Sequence, residues 1–170
     1  MPDTVLHKFS KSDTLEIRPG AAVGTLVLKT LISDSLWLDL GRPDSSDAAM
    51  CKSWSMWYWG DRELDLFSVC DPEVDMQKTL KIIRVRGFRY RILQEGIHLN
   101  TSSELAEIQA QFPQGRLVDM GPEGIPNTHD LYQDTTQGIA FELNAEGKQA
   151  GVLIFPKGTS LEHQYIPAIP

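Results

Sequence analysis

Apolar and polar residues alternate with period two through much of this chain. FRYRIL (88–93) sends Phe88, Tyr90 and Ile92 to one side and Arg89 and Arg91 to the other, the pattern of a half-buried strand. GIAFEL (138–143) places Ile139, Phe141 and Leu143 together, NAEGK supplies a turn, and GVLIFP (151–156) returns, which predicts a hairpin. Leu131 to Asp134 reads as a further short strand. Helical spacing is clearest where Leu105, Ile108 and Phe112 follow the T-x-x-E pattern of Thr101 and Glu104. That pattern predicts a capping box, and Pro113 ends the run. DSLWLDL (34–40) fits either a helix or a strand. Residues 114–130, with PEGIPN, read as a long loop, and the chain from Thr159 onward as an extended tail.

The densest signal is KSWSMWYWGD (52–61), which holds three of the four tryptophans. Gly60-Asp61 suits a two-residue type II′ turn. The resulting register sets Trp59 opposite Arg62, Trp57 opposite Leu64, Ser55 opposite Leu66, Trp54 opposite Phe67 and Cys51 opposite Cys70. Trp57, Trp59, Leu64 and Leu66 then share one face, which is expected to be core. Trp54, Met56, Tyr58, Glu63 and Asp65 share the other with Phe67 and Val69. This second face is either covered by the N-terminal segment or the C-terminal tail, or partly exposed, in which case those five residues are expected to form a partner-binding patch, aromatic and Met side chains beside charge being typical of hot spots.

A faint internal similarity accompanies the alternation. GTLVLKTLISDSLWLDLG (24–41) falls on EGIHLNTSSELAEIQAQF (95–112) at an offset of 71, and IIRVRG (82–87) falls on LIFPKG (153–158). The expected fold is therefore α+β: a mostly antiparallel sheet with a few helices packed on one face. It forms one compact domain over 1–170, with strand-helix-hairpin halves at 15–93 and 94–158 and a tail at 159–170.

Charge adds an uneven distribution. The net formal charge is −7, yet residues 61–75 carry six acids against Arg62 alone, and residues 76–91 carry six bases and no acid. The simplest reading pairs these stretches as neighbouring strands. An acidic balance argues against nucleic acid and favours a cationic partner surface. No apolar run reaches the length of a membrane span, and no basic n-region precedes an apolar run at the start, so the expectation is a cytoplasmic protein with Cys51 and Cys70 as reduced thiols.

Candidate chemistry is sparse. Metal-ligand spacings, a P-loop, G-x-G-x-x-G and G-x-S-x-G are all missing from the sequence. No cofactor, metal or catalytic residue is therefore expected. His98 alternates outward; His129 with Asp119 and Asp130, beside the 114–130 loop, is the one arrangement that would suit a small enzyme. An apolar-ligand pocket behind Trp54 and Phe67 is a further alternative.

The layout G-x-L-x-L-x-T, then helix, then hairpin, resembles the tandem repeats of beta-lactamase inhibitory proteins and outer-membrane assembly lipoproteins. In size and acidity the chain is similar to small bacterial immunity proteins. The resemblance implies a non-enzymatic immunity or inhibitor protein that occludes a toxin or enzyme, a cognate protein with a basic binding surface. It carries over no individual functional residue.

Overall fold

The computed structural model describes residues 14–32, 40–119 and 130–161. Twelve strands form two sheets: β1 (Thr14–Arg18), β2 (Ala22–Val23), β3 (Leu26–Val27), β4 (Ser45–Ala49), β5 (Lys52–Trp59), β6 (Arg62–Asp71), β7 (Gln77–Arg86), β8 (Arg89–Ile92), β9 (Arg116–Asp119), β10 (Asp130–Asp134), β11 (Ile139–Leu143) and β12 (Gln149–Ile154). The larger sheet has the order β4-β5-β6-β7-β12-β11-β10-β9 and the smaller one β3-β2-β1-β8. Each half of the large sheet is a four-stranded meander, and the last strands of the two meanders, β7 and β12, pair antiparallel at the centre. In the small sheet β1 runs parallel to β8.

This corrects the α+β expectation. Strand accounts for 51% of the described residues and helix for 9%. The helix α1 (Leu105–Gln111) is only seven residues long. The face expected to lie under helices is instead covered mainly by the small sheet. Leu15, Ile17, Val23, Tyr90 and Ile92 from that sheet and Phe88 just before β8, with Ile108 and Phe112 from the α1 region, pack with Trp57, Leu64, Val85, Phe141 and Val152 of the large sheet. β4 and β9 gave little warning: SSDAA carries no apolar alternation, and RLVD is short and sits in a Gly- and Pro-rich stretch. The capping box does not form either. Glu104 is the N-cap residue without a side-chain cap, while Thr101 Oγ1 accepts from Tyr90 N–H at 2.8 Å. That hydroxyl satisfies a strand donor rather than a helix donor.

The β5–β6 register is the one the Gly60-Asp61 turn predicts, from Trp59 opposite Arg62 to Trp54 opposite Phe67. Gly60 takes φ 73°, the left-handed region such a turn requires. Gly138 serves a different purpose. Its φ is 71°, and a Cβ there would lie 2.2 Å from Phe155 O and 2.7 Å from Gly20 Cα. Gly20 N–H donates to Gly138 O at 3.1 Å, so the two sheets are joined where no side chain fits.

Candidate functional site

Register makes each face of the large sheet a set of transverse rows. One row runs Leu117, Tyr132, Phe141, Val152, Val85, Leu64, Trp57. It is apolar throughout and faces the small sheet. On the opposite face the central strands carry charge: Glu63 stands opposite Arg86 and Asp65 opposite Arg84, as the adjoining acidic and basic stretches predict. Around that charge lies a second apolar cluster of Trp54, Met56, Phe67, Ile82, Leu131, Leu153, Phe155 and Leu161.

Glu142 on β11 completes the ionic ladder. Arg86 donates to its Oε2 through Nε at 3.0 Å and through Nη2 at 2.6 Å. The same guanidinium reaches Glu63 Oε1 through Nη1 at 3.2 Å. It spans β12 because Gly151 leaves room; a Cβ there would lie 2.8 Å from Arg86 Cγ. Arg84 Nε lies 2.7 Å from Glu142 Oε1 and its Nη1 3.7 Å from Asp65 Oδ2. Neither contact is aligned as a hydrogen bond, and all three Arg84 nitrogens lack a hydrogen-bond acceptor. Asp65, Arg84 and Glu142 are each 0% exposed.

Such burial shifts proton affinities. The Asp65 carboxyl is pushed up to about 8, by desolvation against the pull of Arg84 and with help from neighbouring Glu63. Desolvation lowers the Arg84 guanidinium against the pull of Glu142. For Arg86 burial works downward too, but Glu142 and Glu63 outweigh it and the net shift is upward. At neutral pH the raised Asp65 carboxyl therefore favours its neutral form beside the Arg84 and Arg86 guanidiniums. A protonated Asp65 can donate to Glu63 Oε2, an oxygen with no other partner. The Tyr58 hydroxyl, buried without a partner, is likewise raised, by desolvation and then by Glu63 and Asp65. A proton-sharing acid pair can serve acid–base chemistry, but here it is sealed from substrate.

The expected partner patch is corrected accordingly. Met56 and Asp65 are 0% exposed, Trp54 7% and Glu63 9%, and Tyr58 is half-buried. This face is buried, with Leu161 and Phe155 packed in one apolar cluster with Trp54, Met56 and Phe67. Cys51 and Cys70 do lie opposite each other, but as a disulfide with Cα atoms 4.9 Å apart, so the expectation of reduced thiols is overturned. His98 is exposed, as alternation predicts. His129 lies outside the described residues, and Asp119 is described only through its backbone in β9. Asp130 lines an open depression of about 390 Å³ with Leu105, Leu117, Leu143, Asn144, Ala145 and Gly147. Among the described residues no group of His, Cys, Asp and Glu could hold a metal, and no described helix is long and apolar enough to cross a membrane.

A feature not anticipated from the sequence lies at the disulfide end of the sheet. Among the described residues six large hydrophobics are exposed, and five of them, Val27, Leu31, Met50, Val74 and Met76, belong to the segments that gather there. The β4–β5 turn carries Met50, 99% exposed. The β6–β7 turn carries Val74 and Met76, and Leu31 bridges to Thr79 on β7. At about 4.8 Å per ladder step, Cys51 to Leu31 spans roughly 14 Å. All four described non-glycine residues with positive φ (Lys29, Met50, Asp75 and Met76) also lie in these segments. Residues held there tend to mark functional loops. Comparison of the chain with protein-family models, curated proteins and solved structures finds no match.

Proposed function

We propose that this chain is a non-enzymatic protein-binding module, an inhibitor or immunity protein that occludes a toxin or enzyme. The observation that carries the reading is the gathering of exposed Val27, Leu31, Met50, Val74 and Met76 at one end of the sheet. Exposed apolar side chains in a contiguous patch favour a protein contact, and Met adapts readily to a partner surface. The binding surface is thereby moved from the hairpin face to the loop end. The sealed ladder supports a structural use for the charges that would otherwise suggest catalysis. We also infer an oxidising compartment in place of the cytoplasm, because disulfides persist there and are rare in reducing ones.

The test is capture from the source cell with the wild-type chain and with a Met50→Ser, Val74→Ser, Met76→Ser variant, followed by an activity assay on whatever is retained. The expected result is a protein whose toxic or enzymatic activity falls on addition of wild type and not of the variant. A partner inhibited equally by both, or captured without any loss of activity, would refute the proposal.

A further inference from the structure

We infer that the partner meets the loop end with apolar side chains ringed by lysine and arginine, and that the turn at 71–76 is the principal contact. This rests on the proposal that the loop end is the binding surface and adds the partner's chemistry to it. The turn reads DPEVDM and is held from within. Asp71 Oδ1 accepts from Glu73 N–H at 2.9 Å, capping a 3-10 turn at Pro72–Val74. Asp71 O accepts from Met76 N–H at 2.9 Å, and Asp71 Oδ2 accepts from Thr79 Oγ1 at 3.4 Å. Asp71 is thus engaged internally, whereas Glu73 and Asp75 are exposed.

The two free carboxylates alternate with Val74, 37% exposed, and Met76, 54% exposed. The tip therefore offers apolar contact framed by negative charge. The lysines of this end lie outside the turn itself: Lys52 opposite Val69, Lys78 opposite Cys70, and Lys29, between Val27 and Leu31, with its N–H on Leu80 O. Desolvating Val74 and Met76 against a partner brings Glu73 and Asp75 to the rim of the contact. Like charge there would be repelled and opposite charge steered in. The Cys51–Cys70 disulfide and the Asp71 bonds fix the turn beforehand, so little ordering entropy is lost on docking.

A displayed random-peptide library panned on the whole protein tests this. Two variants accompany it: Glu73→Lys with Asp75→Lys, and Val74→Ser with Met76→Ser, each first shown to keep the wild-type urea midpoint. The expected winners combine Lys or Arg with Leu, Phe or Trp. They bind either variant roughly tenfold or more weakly, and weaken as salt rises. Winners without basic residues, sensitive to the Val74 and Met76 changes but not to charge reversal, would overturn the basic partner and leave the docking end standing. Winners indifferent to both variants, or no enrichment, would overturn both.

Discussion

Replacing Asp65 by Asn isolates the proton that the ladder holds. Burial and Glu63 raise the Asp65 carboxyl from an ordinary 3.8 to about 8 in the folded protein. Between those values the native state keeps a proton that the unfolded chain releases, so the contribution of Asp65 to stability falls as pH rises. The slope is about 1.4 kcal/mol per pH unit. It flattens below pH 4, where both states are protonated, and above pH 8, where neither is. Asn cannot ionise, and its amide can donate to Glu63 Oε2 as the protonated acid does. Near pH 5 the two proteins should therefore differ by no more than about 1 kcal/mol, one hydrogen bond's worth. The wild type should then lose ground steadily, so that Asp65→Asn is the more stable protein by pH 9. Urea unfolding followed by tryptophan fluorescence at half-unit intervals measures the difference, in which titrating groups remote from Asp65 cancel. A difference that stays flat, or grows in favour of wild type with pH, would mean that Asp65 is ionised and paired with Arg84, and the reasoning would fail.

Other substitutions test separate parts of the structure. Glu142→Gln removes the carboxylate that faces both Arg84 and Arg86, and should cost roughly 3–5 kcal/mol at pH 7 in the same urea assay; a loss below 1 kcal/mol would argue against the ladder. Cys51→Ser opens a link between residues 19 apart and should cost about 3 kcal/mol by chain entropy, while the unreduced wild type should show no thiol to a labelling reagent in denaturant. Gly138→Ala meets Phe155 O and Gly20 Cα and should destabilise by about 3 kcal/mol or more, whereas Gly60→Ala, with open space around its Cβ, should lose only about 1–2 kcal/mol for its left-handed backbone. Equal losses at both glycines would show that the approach of the two sheets is not tight.

How much was legible in the sequence depended on how local the determining physics is. The β5–β6 register followed from one glycine at one turn, and alternation then fixed which residues share a face. The pairing of acidic β6 with basic β7 was legible for the same reason. What alternation does not say is whether a face is covered. Glu63 and Asp65 look like surface residues until Arg84, Arg86 and Glu142 arrive from other strands, and Glu142 is distant in the chain. Opposition of Cys51 and Cys70 was readable from the register, but their bond was not, since it depends on redox conditions. β4 and β9 are edge strands held by one neighbour each, and their own residues show no strand pattern. The loop end escaped notice because Val27, Leu31, Met50, Val74 and Met76 are scattered in sequence and are brought to one end only by strand pairing across β5, β6 and β7.

The ladder also bears on why the two meanders meet in one register. Their seam is short: Val85, Arg84 and Ile83 oppose Val152, Leu153 and Ile154. A slip by one residue would set Arg84 and Arg86 on the same face as Val152 and Phe141 and take them away from Glu142, and an ion left without its partner there costs several kcal/mol. Buried ion pairs add little net stability over well-packed apolar replacements, but they can penalise wrong pairings. Changing Glu63, Asp65, Arg84, Arg86 and Glu142 together to Leu or Met should therefore leave overall stability within about 3 kcal/mol of wild type, while removing the penalty on the slipped seam. Amide NMR spectra of that variant should show doubled or broadened signals in β7 and β12 and single sharp ones in β5. Sharp, single signals throughout would mean that packing alone fixes the seam, and the ladder would then have no part in choosing the register.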